Sequence, residues 1–221
     1  MAKDYTATRG MVVSAAAAVL FLSSCQTAYY STMEKFGYHK RDLLASRVED
    51  VRDAQTEAKE QFQSALERFS TVLNFQGGEL EEEYRGLKSE FDRSEAKAEE
   101  VRQRIASVES VSEALFDEWE DELAQYSNDA MRRTSEQRLV ETRARYHRLV
   151  GAMKKAEKKM DPVLAVFRDH VLFLKHNLNA RAVASLQQEL ASVEMDVAAL
   201  IRDMETSIEQ ADAFIEAMAR E

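Results

Sequence analysis

Four sustained seven-residue repeats constrain this chain more than anything else in it. From Leu44 onward Val48, Val51, Ala58, Phe62, Ala65, Phe69 and Val72 recur at spacings of three and four, interrupted only by Gln55. Such spacing puts one apolar stripe on one face of a helix. A second stripe runs through Leu80, Tyr84, Leu87, Phe91, Ala98, Val101, Ile105, Val108, Leu115, Trp119 and Tyr126. A third uses Leu139, Tyr146, Leu149, Met153, Ala156, Met160, Val163, Phe167 and Leu174, and a fourth Val183, Leu186, Leu190, Val193, Val197, Leu200, Met204, Ala211, Phe214 and Met218.

The stops between the stripes are short. Asn74 to Gly78 closes the first, because Gly77 and Gly78 can adopt the left-handed conformation that ends a helix. Ser127, Asn128 and Asp129 favour turns and caps and separate the second from the third. Asn177-Leu178-Asn179 separates the third from the fourth. The spacing therefore predicts helices over about 43–75, 79–127, 129–176 and 180–220. Short connections make sequential helices antiparallel neighbours. The expectation is all-α: an elongated antiparallel four-helix bundle with coiled-coil-like heptad packing, about 70 Å long at 1.5 Å per residue. Pro162 inside the third helix predicts a kink, and a three-helix arrangement folded at Pro162 is the alternative.

Charge agrees with a paired second and third helix. Glu79 to Asp129 holds 17 acidic and six basic residues, whereas Met131 to Lys159 holds ten basic and three acidic. Opposite signs on consecutive helices favour pairing within a hairpin. An alternative use of the basic strip is contact with anionic lipid or an acidic partner.

Ahead of the helices the chain changes character. An apolar, alanine-rich run from Met11 to Leu22 follows Lys3 and Arg9 and leads into Leu22-Ser23-Ser24-Cys25, the one cysteine of 221 residues. The run is shorter than the roughly 20 residues a membrane span needs, but suits a cleavable secretory signal. Small Ser23 and Ser24 let a protease hold the chain extended, and the Cys25 thiol is the nucleophile that takes up diacylglycerol. The pattern Leu22 to Cys25 thus resembles the lipobox of bacterial lipoproteins. It predicts a signal over 1–24, a lipidated membrane-proximal segment over 25–42 and a helical domain over 43–221. Gln26, where Asp would mark retention in the inner membrane, points to the outer membrane, facing the periplasm. Tyr29, Tyr30, Phe36 and Tyr38 with Lys35, Lys40 and Arg41 suit the headgroup level. They equally suit a cap on the end of the helices.

Motifs for chemistry are missing. None of His39, His147, His170 and His176 follows a glutamate by three positions, as a ferritin-like metal site requires. Gly86-Leu87-Lys88-Ser89 lacks the upstream glycine and the strand of a phosphate loop. The formal charge of −10 speaks against nucleic acid. No catalytic residue, no metal and no cofactor beyond the covalent lipid on Cys25 is expected. Gln55, Ser94, Ser112, Glu122, Thr142, His170 and Ser207 are polar residues at stripe positions, where an interhelical ligand would be held or register set.

Longer stretches carry a resemblance. Tyr29-Tyr30-Ser31 with Met33-Glu34-Lys35-Phe36-Gly37, His39-Lys40-Arg41-Asp42, Asn74-Phe75 with Gly77-Gly78-Glu79-Leu80, Ala114 to Glu120, and Pro162 to Asp169 continuing to Arg181 look like the bacterial lipoproteins of domain-of-unknown-function family 2959. The resemblance covers nearly all of the chain after Cys25 and implies no assigned activity. A DNA-repair ATPase label carried by some members has no nucleotide-binding motif here to rest on.

The functional expectation is a non-enzymatic, lipid-anchored scaffold or interaction module with a membrane and an envelope protein as partners. The alternative is an envelope enzyme or ligand carrier with an interhelical site. The expected partner surface is the tip far from the lipid: Phe75, Gly77, Gly78, Lys175, His176, Asn177, Asn179 and Arg181.

Overall fold

A computed structural model describes residues 40–74 and 80–220. Among them every regular element is helical. Five helices follow in order: α1 (Lys40–Leu73), α2 (Leu80–Leu123), α3 (Asp129–His176), α4 (Ala180–Leu186) and α5 (Leu190–Arg220). The protein is an all-α helical bundle.

The apolar stripes are the buried faces. Val48, Val51, Ala58, Phe62, Ala65, Phe69 and Val72 of α1 are all in the core, as are Phe91, Ala98, Val101, Ile105 and Val108 of α2. Each fully buried Phe or Leu side chain, such as Phe62, Leu149 or Leu200, contributes roughly 1.5–3 kcal/mol over an exposed one. Helix α1 packs on α2 and α5, and α3 packs on α2 and α5, which closes a ring of four long helices.

Directions follow from the ion pairs. Lys40–Glu118, Arg104–Asp50 and Lys97–Glu57 run up α1 as they run down α2. Arg143–Glu120, Lys154–Glu109 and Arg168–Glu95 do the same for α2 and α3. Arg52–Asp212 and Lys59–Glu205 join α1 to α5 with opposite polarity. All of these neighbours are antiparallel, and the acidic α2 does pair with the basic α3.

Several sequence expectations need correction. Five helices form where four were expected, because the last stripe is cut at Gln187–Glu189. There the backbone closes three-residue turns, Glu189 N–H to Leu186 O at 3.0 Å and Ser192 N–H to Glu189 O at 3.0 Å. The Gln187 amide instead donates across to Leu73 O of α1 at 2.7 Å. Helix α2 stops at Leu123, so Tyr126 and Glu122 are exposed and belong to no core stripe. Helix α3 runs unbroken for 48 residues with Pro162 inside it, which removes the folded three-helix alternative. Its start is capped by Asn128, whose Oδ1 accepts from the N–H groups of Ala130 and Met131.

Candidate functional site

The end of the bundle where α1 and α3 finish is built around a buried histidine. His170, one turn before the last core residue of α3, lies 4.6 Å from the Phe69 ring of α1, stacked at 1°. Phe167 meets Phe69 edge-on at 6.3 Å. His170 Nε2 is 2.7 Å from Glu189 Oε2 in the turn between α4 and α5. One ring thereby ties together α1, α3 and the α4–α5 turn, and the Gln187–Leu73 bond fastens the same turn to α1.

Two asparagines shape the surface above it. The Asn177 backbone N–H donates to Leu174 O and its side-chain amide to Phe173 O at 2.9 Å, which ends α3. Asn179 Oδ1 accepts from Ala182 N–H at 3.1 Å and starts α4. Both side chains are thus spent on helix ends. The residues around them face outward: Leu172 is 51% exposed, Phe173 40% and Leu178 38%. Lys175, His176 and Arg181 are exposed and carry no ion pair among the described residues. The surface is an apolar patch, Phe173 included, with basic side chains beside it.

The expected tip residues Lys175, His176, Asn177, Asn179 and Arg181 therefore share one end, with Leu172 and Leu178 added to them. Phe75, Gly77 and Gly78 lie outside the described residues, as do Leu22, Ser23, Ser24 and Cys25.

Interior polar groups form a second candidate. Gln55 and Ser207 are fully buried, and the Gln55 amide nitrogen and oxygen and the Ser207 hydroxyl have no hydrogen-bond partner. The Arg52–Asp212 and Lys59–Glu205 pairs bracket them and set them at nearly one height on adjacent helices. Two other polar stripe residues are satisfied within their own helix: Ser94 donates to Glu90 O and Ser112 to Glu109 O.

Sequence reasoning missed Asp203. It is nine-tenths buried on α5 and meets Lys155 at 2.9 Å and Lys159 at 2.7 Å. Burial pushes its carboxyl up, but the two ammonium groups outweigh burial and hold its pKa below the usual carboxylate value. The signal was present as Lys155 and Lys159, one turn apart beside the core positions Ala156 and Met160.

Gly86 also finds its reason. It sits inside α2, where a Cβ would run into the guanidinium of Arg68 as that side chain reaches Glu83. Gly86 thus lies within a helix beside the flexible end of Arg68 and forms no phosphate loop. Among the described residues no group of three or more His, Cys, Asp or Glu is placed to hold a metal, and no helix is long and apolar enough to cross a membrane.

No curated protein matches the chain. The model of the family described as Protein of unknown function (DUF2959) matches residues 29–218, and the chain belongs to that family.

Proposed function

We propose that this protein is a non-enzymatic helical scaffold of the bacterial envelope, held to the outer membrane by acyl chains on Cys25 and facing the periplasm. Its finer architecture is then an elongated antiparallel four-helix rod with coiled-coil-like packing, interrupted once between α4 and α5. The observation that carries this reading is the separation of the two ends. Lys40 bonds Glu118 and Arg41 donates to Met218 O, so the start of α1, the end of α2 and the end of α5 meet at one end, fifteen residues after Cys25. The stretch Leu172–Arg181, mostly exposed apart from the buried Leu174, is at the other. At 1.5 Å per residue the 34 residues of α1 set about 51 Å between them. A rod anchored at one end presents apolar and cationic groups far from the bilayer, where an envelope protein with an acidic rim would meet them.

The test is acyl labelling and capture of the full chain from its own membrane. Cys25→Ala is expected to remove the label and leave the chain uncleaved or released. Unchanged labelling refutes the anchor. Lys175→Ser with His176→Ser and Arg181→Ser is expected to weaken capture of the partner at unchanged helicity. Undiminished capture moves the partner surface away from the tip.

A second reading is favoured by the unpartnered atoms of Gln55 and Ser207: a carrier whose small polar ligand lies between α1 and α5. A stabilising Gln55→Leu substitution removes it.

A further inference from the structure

At the end of the bundle where α1 begins, α3 outruns its neighbour α5. Lys155 pairs with Asp203 and His170 with Glu189, so α3 and α5 are antiparallel. Seventeen residues on from Asp203 is Arg220, level with Arg138, seventeen before Lys155. The stretch of α3 from Asp129 to Gln137, about 13 Å at 1.5 Å per residue, therefore has no α5 beside it. A cleft of about 480 Å³ opens there, walled by α3, by the end of α2 and by Arg41 at the start of α1. Trp119 closes the α2 side, its indole N–H donating to Ser135 Oγ at 2.8 Å. Tyr126 and Met131 line the cleft and stay 39% and 59% exposed.

The cleft is basic in a chain of formal charge −10: Arg41 and Arg138 line it, and among the described residues no acid does. Arg41 gives one N–H to Met218 O at 3.1 Å. Arg138 is exposed and has no ion pair among the described residues, unlike Arg132 and Arg143 on the same helix, which meet Asp129 and Glu120. The first N–H groups of α3 are spent on Asn128, and the Thr134 hydroxyl donates to Ala130 O. Attraction for an anion thus rests on the two guanidiniums. A guanidinium matches phosphate with two parallel N–H bonds. Trp and Tyr beside it suit the level of lipid headgroups, where one end of a ligand is charged and the other apolar. The volume falls within the roughly 300–1,000 Å³ of small-molecule sites.

We infer that this cleft binds the headgroup of an anionic phospholipid, with its phosphate held by Arg138 and Arg41 and its first methylenes on Met131, Tyr126 and Trp119. Free phosphate satisfies the guanidiniums but leaves Met131 in water, whereas a phosphate ester with an apolar chain covers both. The choice of a bilayer lipid as its source rests on the anchored reading, in which this end of the rod is the one tied to the membrane through Cys25. A lipid so held fixes the rod at a second point and limits its rotation about the anchor.

Trp119 is the one tryptophan of the 221 residues, so its emission reports on the cleft alone. The full-length protein is placed in phosphatidylcholine nanodiscs with rising fractions of phosphatidylglycerol brominated in its acyl chains, since bromine quenches tryptophan on contact. Quenching is expected at low fractions, and brominated phosphatidylcholine is expected to need a fraction about tenfold higher for the same effect. Arg138→Glu is expected to remove that difference at unchanged helicity. Equal quenching by the two lipids, or a preference that survives Arg138→Glu, overturns the proposal. So does a preference abolished by excess inorganic phosphate at matched ionic strength, which would assign the guanidiniums to a free anion. Acyl labelling of the same preparation separates this from the anchor: preference without label keeps the cleft and removes the anchor, and label without preference keeps the anchor and removes the cleft.

Discussion

Replacing Gln55 with leucine is expected to stabilise the bundle, although it removes a side chain that has no exposure at all. A buried polar group without a partner costs about 1–3 kcal/mol, because it has left water and gained nothing. Gln55 holds two such atoms, its amide nitrogen and oxygen. Leucine fills a similar volume with methyl groups among Val51, Ala58 and their neighbours, and misfit offsets roughly 1 kcal/mol of the gain. The net expectation is about 1–3 kcal/mol. In a domain of this size each kcal/mol moves Tm by about 2–4 °C, so a rise of roughly 2–12 °C should follow. Thermal unfolding by circular dichroism measures it, with urea midpoints as the check that unfolding stays cooperative. Ser207→Ala should add about 1 kcal/mol by the same argument. A lowered Tm for Gln55→Leu refutes the reasoning: the amide then has a bonded partner in the folded protein, and the carrier reading gains what the scaffold loses.

Asp203→Asn leaves Lys155 and Lys159 facing each other without their carboxylate. Both lysines are substantially exposed, so the loss at neutral pH should be about 1–2 kcal/mol, below the 3–5 of a fully buried pair. Because the folded carboxyl has its pKa depressed, its contribution is present above the ordinary carboxylate range and is lost as pH falls through the folded value. The gap in urea midpoint between wild type and variant should therefore close on strong acidification; a gap independent of pH refutes the pairing. Gly86→Ala gains helix propensity of about 1 kcal/mol but pushes the flexible end of Arg68 off Glu83, so stability should change by less than about 1 kcal/mol. A loss of more than about 2 kcal/mol in thermal melts would mean that Arg68 cannot yield.

The long helices were legible because burial on one face imposes a period that few other forces disturb. Val48 to Val72 and Val193 to Met218 are buried at nearly every position the repeat marks. The break at Gln187–Glu189 was not legible, since no glycine or proline marks it and Val183, Leu186, Leu190 and Val193 keep their spacing across it. Its cause is tertiary: Gln187 reaches Leu73, 114 residues away in sequence, and Glu189 reaches His170 on α3, 19 residues away. Glu122 failed for a local reason: it lies in the last turn of α2, which ends one residue later, and its side chain is exposed there. At the tip, Asn177 and Asn179 were legible as caps from their residue type, while the exposure of Phe173 was not. An aromatic near a helix end packs inward or outward according to what α1 and α5 leave uncovered, and the period of α3 alone does not decide that.

The seam between α1 and α5 sets an order of events in folding. Arg41 meets Met218, and Arg52 meets Asp212, so the first helix is completed by the last. While the chain emerges, the hairpin of α1 and α2 forms early from near neighbours, yet the stripe from Val48 to Val72 stays partly open to water. It closes only when the 31 residues of α5 are free to lie down beside it. Bringing α5 back to α1 closes a loop that spans all of α2, α3 and α4, which is slow compared with forming a helix. A nascent chain of this protein therefore carries an uncovered apolar strip until α5 has been made, the kind of surface that holding chaperones bind.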